Sequence, residues 1–96
     1  MNRNPYSAHR NLRAINFFCQ AAQAEKVSLV GDFNEWNPGT HPMKRSADGT
    51  WTLTVELRHG HHRYAFWVDG HLTIDPRAQG ITRNDQGQRV SLVPVS

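Results

Sequence analysis

Residues 51–57 alternate strictly, with Trp51, Leu53, Val55 and Leu57 on one parity and Thr52, Thr54 and Glu56 on the other. A period of two describes a strand with one buried face. An amphipathic helix would repeat its apolar residues at three and four. The same period returns elsewhere. In residues 12–19, Arg13, Ile15, Phe17 and Cys19 alternate with Leu12, Ala14, Asn16 and Phe18, and Ile15 and Phe17 are expected to face a core. Val27 and Leu29 flank Ser28, and Val30 extends the run. Tyr64, Phe66 and Val68 share one face of a further segment, while Ala65 and Trp67 share the other.

Turn formers separate these segments: Asn37-Pro38-Gly39, Asp48-Gly49, Arg58-His59-Gly60-His61 and Asp69-Gly70. The alanine-bearing connector Gln20–Lys26 is too short for a free-standing helix, though long enough for one helical turn. Short strands at this spacing with no helix between them predict an all-β, immunoglobulin-like sandwich of about seven strands. Its predicted core is Ile15, Phe17, Val27, Leu29, Trp51, Leu53, Val55, Tyr64, Phe66 and Val68, with Met43 at the edge. His71–Asp75 reads as a short strand ended by Pro76, residues 77–88 as a long polar loop, and Arg89–Val95 as a last strand. Pro94 places that last strand at a sheet edge or marks its end. The 96 residues make one domain. Residues 1–11 are expected as a loose polar arm and residues 12–96 as the folded unit.

Composition removes several function classes. The net charge is +3, and the eleven Lys and Arg residues are scattered, Lys44-Arg45 being the densest pair. Nucleic-acid binders concentrate such charge in a stripe or patch, so no nucleic acid is expected. No apolar run is long enough to span a membrane. Met1-Asn2-Arg3-Asn4-Pro5 lacks the apolar stretch of a secretory signal. Cys19 is the single cysteine, which fits a reducing compartment, and a cytoplasmic location is expected.

Catalysis would need a pair of carboxylates across a cleft. The candidates are Asp32, Glu35, Asp69 and Asp75, and three of them sit beside Gly31, Gly70 and Pro76, where turn chemistry accounts for them. His59, His61 and His62 crowd one turn, but adjacent strand residues point to opposite faces and a metal demands fixed geometry. No metal or cofactor is expected. Sugar binding has better material. Pyranose rings present C–H faces that stack on flat aromatics, and Trp offers the largest such area. Residues 31–37, Gly-Asp-Phe-Asn-Glu-Trp-Asn, hold two aromatics in a polar stretch. One of them pins the loop to a core and the other is presented outward. For Trp36 the residues alone leave both roles open.

Two motifs carry a family resemblance. A strand running into Gly31-Asp32-Phe33-Asn34-x-Trp36, then Tyr64-x-Phe66-x-Val68-Asp69-Gly70 followed by Asp75-Pro76, resembles carbohydrate-binding module family 48. That family contains the glycogen- and starch-binding domains at the front of isoamylases and branching enzymes, and that of the β subunit of AMP-activated protein kinase. The resemblance covers roughly residues 14 to 95. It implies an early-set immunoglobulin-like sandwich and makes Trp36 the residue that stacks on glucose. Ala65 stands where binding members similar to the kinase subunit carry a glucan-contacting Lys, and Leu72 where they carry a second stacking Trp. The family's later Leu, Thr and Asn ligand positions fall near Gln86, Gln88 and Val90.

The expected function is a non-catalytic module that binds α-glucan, such as glycogen, starch or a maltooligosaccharide, weakly and by stacking. The expected carbohydrate-binding residues are Trp36, Trp67, Asn34 and Asn37. Trp67 lies on the outward face with Ala65 and is expected to compensate for the absent Lys; contact with a neighbouring loop or a partner protein is its other reading. The alternative function is an interaction module docking onto a glucan-metabolising enzyme or regulatory partner. A glycoside hydrolase is disfavoured.

Overall fold

The alternating segment 51–57 becomes the middle strand of a three-stranded sheet. The structure, a computed structural model, describes residues 12–96; the expected arm, residues 1–11, lies outside the described residues. Eight strands follow in order: β1 (Leu12–Gln20), β2 (Val27–Gly31), β3 (Lys44–Arg45), β4 (Thr50–Arg58), β5 (Gly60–Val68), β6 (His71–Thr73), β7 (Gly80–Arg83) and β8 (Arg89–Val95). One sheet has the order β1-β4-β3, and the other the order β2-β5-β8-β7 with β6 also paired to β5; all pairings are antiparallel.

Register turns sequence parity into a buried face. Ile15, Phe17 and Cys19 pair with Val55, Leu53 and Trp51. Val27 and Leu29 pair with Val68 and Phe66. The two apolar sides face each other as one core, in which Phe17, Val27, Leu29, Trp51, Tyr64 and Phe66 are buried and Ile15, Leu53, Val55 and Val68 pack partly buried against them. Every predicted core residue is therefore in it. Met43 is buried at its margin, joined by Ala24, Leu57 and Val95. The fold is an all-β sandwich of the immunoglobulin type.

The structure corrects three readings of the chain. Residues 77–88 are not one long loop, because Gly80–Arg83 forms β7, paired from Gly80↔Leu92 to Arg83↔Arg89. The signal was weak because β7 is a sheet edge and one of its apolar residues, Ile81, is 44% exposed, so no apolar alternation was required of it. The irregular piece 41–46 contains the two-residue β3. The strand starting at His71 ends at Thr73, before Asp75. Of the two readings of Pro94, the local sheet edge holds: β7 stops pairing at Leu92, so at Pro94 only β5 lies alongside β8, which itself runs on to Val95.

Asp75 leaves β6 to become a buried polar pin. Its carboxylate accepts a 2.6 Å hydrogen bond from the Tyr64 hydroxyl and one of 2.9 Å from Arg77 N, while its own N donates to Ser91 Oγ at 2.7 Å. These bonds join β5, the β6–β7 connection and β8. A buried polar group is tolerable only when its partners are present in this way. Burial, the bond to Asp75 and the carboxylate's charge together push the Tyr64 phenol far above its usual titration range. Burial, aided by Asp75, also raises the Cys19 thiol, which makes it a small core hydrophobe.

This sets a pH dependence. A phenol whose folded pKa is raised contributes stability that is complete below the unfolded tyrosine value, about 10, and is lost as pH climbs above it. The urea midpoint is expected to fall as pH rises past about 10, and to fall less steeply in Tyr64→Phe, which has no proton to lose. Parallel pH slopes for the two proteins would contradict the assignment.

Candidate functional site

The loop after β2 is built from its own sequence. Gly31 closes the strand where no side chain fits: a Cβ there would collide with the Phe33 ring and lie 2.7 Å from the Arg63 carbonyl. The Gly31 carbonyl accepts bonds from Asn34 N at 3.1 Å and Trp36 N at 3.0 Å. Glu35 and Trp36 both adopt φ of 58°, a left-handed conformation that costs a non-glycine residue roughly 1–3 kcal/mol. The surrounding bonds hold it.

Phe33 and Trp36 leave this loop on opposite sides. Phe33 packs into the main core, 6.4 Å from the Phe17 ring, with His41 and His62 edge-on at 5.9 and 6.2 Å. Trp36 packs on the outer face of the larger sheet, against a second apolar cluster of Val30, Ala65 and Val90. Trp67 and Leu72 pack on that same cluster. Val30 pairs with Ala65, and Trp67 stands between Ser28 of β2 and Leu72 of β6. The structure thus brings Trp36 and Trp67, both half-buried, onto one face around a shared apolar floor. The third tryptophan, Trp51, is buried in the main core and donates Nε1–H to the Ala21 carbonyl at 2.9 Å.

The two asparagines part company. Asn34, expected as a hydroxyl partner, is instead an internal brace, only 9% exposed. Its Oδ1 accepts from Gly31 N at 3.0 Å, and its Nδ2 donates to the Leu29 carbonyl at 3.0 Å and lies 2.8 Å from His41 Nδ1. A short polar side chain following Gly-Asp-Phe fits that enclosure, so nothing in the one-letter pattern separated bracing from ligand contact. Asn37 is exposed; its Oδ1 accepts from Gly39 N at 2.8 Å. Among the described residues, its Nδ2 has no hydrogen-bond partner.

Beside Trp67 the face dips into an open groove between the Pro38-Gly39 tip and the Asp69-Gly70 turn, with Lys26 and Ser28 along it. Neither Lys26 nor Ser28 was singled out as a binding residue from the sequence. The one usable signal was that Lys26 and Ser28 share a parity, but assigning that parity to the Trp67 face required the β2–β5 register.

Three of the four candidate carboxylates, Asp32, Asp69 and Asp75, are occupied by architecture, while Glu35 is exposed. Asp32 accepts from Arg63 N at 3.0 Å and faces His62. Asp69 Oδ1 accepts from Glu25 N at 3.0 Å and Lys26 N at 2.8 Å, which ties the β1–β2 connector to the β5–β6 hairpin. Asp32 and Asp69 stand beyond opposite ends of β2, on the order of 20 Å apart by strand rise. A glycosidase pair needs roughly 5–9.5 Å. Among the described residues, no group of three or more His, Cys, Asp or Glu is placed to hold a metal ion.

The brace predicts a stability effect. Asn34→Ala leaves buried partners of the loop unpaired and is expected to cost about 1–3 kcal/mol in urea unfolding. It should also broaden the Trp36 indole resonance as the loop loses its fixed shape. An unchanged midpoint would show that the brace is dispensable.

Comparison with known proteins converges on one family. The model of carbohydrate-binding module 48, the isoamylase N-terminal domain, matches residues 5–91. A 1,4-alpha-glucan branching enzyme GlgB of Novosphingobium aromaticivorans is 39% identical over 77 residues, covering 73% of this chain and 11% of the relative. A branching enzyme GlgB 2 of Xanthomonas campestris pv. campestris is 36% identical over 83 residues, 86% of this chain and 11% of the relative. A Deinococcus radiodurans GlgB is 37% identical over 67 residues, 70% of this chain and 9% of the relative. The chain spans about a tenth of the length of these curated relatives. With an immunoglobulin-type sandwich, the Gly-Asp-Phe-Asn-x-Trp loop and a family match over most of its length, the chain belongs to carbohydrate-binding module family 48.

Proposed function

We propose that this chain binds α-1,4-glucan without cleaving it, and that Trp36 and Trp67 form the sugar platform. The observation that carries the reading is the shared apolar floor: two tryptophans from separate elements pack on Val30, Ala65 and Val90, outside the main core. The floor supports each indole from below and leaves it half-buried with part of its surface open, which suits stacking against pyranose C–H faces. The family and the 1,4-alpha-glucan in the relatives' names support glucan as the ligand. Asn37 is the hydroxyl partner in this reading, while Asn34 acts by holding the loop.

Two stacking residues on an open surface give weak binding, with a dissociation constant on the order of 0.1–1 mM for oligosaccharides. Weak sites suit polymers, where repeated contacts add through effective concentration. Maltoheptaose titration followed by tryptophan fluorescence should show saturable binding, lost in Trp36→Ala and weakened several-fold in Trp67→Ala. Binding untouched by Trp67→Ala but removed by Trp36→Ala would reject the two-Trp platform. No perturbation at roughly 10 mM ligand, about ten times the weakest constant expected, would reject glucan binding.

The fastening bonds of Asp32, Asp69 and Asp75 support the non-catalytic half of the reading. Incubation with amylose or glycogen is expected to release no reducing ends. Release that Glu35→Gln abolishes would overturn this.

A second reading, docking onto a glucan-metabolising enzyme or regulatory partner, is favoured by one observation. Phe18 on β1 is 49% exposed, on the sheet away from the two tryptophans. It lines a groove with Phe66, Ile74 and Pro76, and a contiguous apolar surface of this kind suits contact with a partner.

A further inference from the structure

We propose that the groove beside Trp67 is a further sugar subsite, in which Lys26 and Ser28 bond the hydroxyls of a glucose unit next to the one stacked on the indole. The inference rests on the glucan reading above and extends it to a residue pair for which no role has been assigned.

Strand register places the pair. Ser28 is directly opposite Trp67. Lys26 lies one step before the first pair, Val27↔Val68, and its carbonyl accepts from Asp69 N at 2.9 Å, which continues the ladder. Lys26, Ser28 and Val30 therefore share the outward parity, and Lys26 is a diagonal neighbour of Trp67, at roughly 7–8 Å. That is within the span of a lysine stem. Both residues line the same groove.

The polar groups there are free to act. The Lys26 side chain is exposed, and among the described residues its ammonium has no ion pair. Asp69, the acid nearest in register, has already committed its carboxylate to the backbone N–H groups of Glu25 and Lys26. Ser28 is half-buried, and its hydroxyl has no hydrogen-bond partner among the described residues. Gly39 and Gly70 form walls without side chains, so a ring can approach the backbone. Trp36, Trp67 and Lys26 also fall in sequence along β2, from its Gly31 end towards its Val27 end, as an extended glucan requires.

Charge selects the class of ligand. Glu25 and Asp69 line the groove with Lys26, giving it one net negative charge. That disfavours phosphate or sulfate esters and favours the neutral hydroxyls of an unmodified glucan, with Lys26 as a donor of hydrogen bonds.

The test is titration of the chain with maltoheptaose, followed by backbone amide and indole shifts. In the wild type, the amides of Lys26, Ser28 and Gly39 should move together with the Trp67 indole. Lys26→Met should weaken binding about 3–10-fold, the effect of one such bond, with an unchanged thermal midpoint because the side chain is exposed. Ser28→Ala should weaken it as well. If both variants bind within twofold of wild type while Trp36→Ala loses binding, the subsite is wrong and the platform reading stands. If the wild type shows no shifts at all, the glucan reading fails and the subsite with it. Tighter binding of a phosphorylated maltooligosaccharide than of the neutral one would also overturn the proposal, because it would make Lys26 an anion receptor.

Discussion

The β2–β5 ladder, five pairs from Val27↔Val68 to Gly31↔Tyr64, is the constraint on which the rest depends. Both strands are apolar on both faces. Leu29 and Phe66 look into the sandwich, while Val30 and Ala65 look out. Slipping one strand by a single residue would exchange these sets and bury Trp67 in place of Phe66. The ladder also aligns the loop after β2 with the turn after β5, and so sets Trp36 and Trp67 on one floor. The chain protects β2's other side: Leu29 N donates to the His41 carbonyl and Met43 N to the Val27 carbonyl, both at 2.9 Å. An open strand edge at that position would invite pairing with another chain.

The loop then converts a strand end into a presentation device. Gly31 lets the Phe33 ring fold back over the backbone, and Asn34 bonds both Gly31 N and the Leu29 carbonyl. Phe33 anchors inward, which leaves the following turn no freedom to collapse. Left-handed backbone at Glu35 and Trp36 is the consequence, held in place by the bond from Trp36 N to the Gly31 carbonyl. A loop held in this way has little backbone freedom left to lose, which would favour the proposed stacking on Trp36.

The acidic residues show why one residue type supports different readings. Asp32, Asp69 and Asp75 stand beside turn formers, and each uses its carboxylate to join two segments that are distant in sequence. Asp75 goes furthest, since it is buried and meets Tyr64 and Arg77. These are fastening roles, and they account for the acids without any cleft between them.

Local periodicity was enough for the fold class. Alternation in residues 12–19, 27–30, 51–57 and 64–68 identified the strands and the residues of the main core, because one-sided burial leaves a period of two that no helix shares. The Gly-Asp-Phe-Asn-x-Trp and Val-Asp-Gly motifs carried the family, since they record turns that demand particular backbone freedom. What the sequence could not carry was pairing. β7 stayed hidden because a half-exposed edge strand needs no apolar pattern, and Asn34 read as a ligand residue because its three bonds exist only once the loop has closed. Parity predicted that Trp67 would face outward, but its neighbours Ser28, Lys26 and Leu72 come from other segments of the chain. Only the register between strands, set by burial over the whole sandwich, decides which of those residues share a face with it.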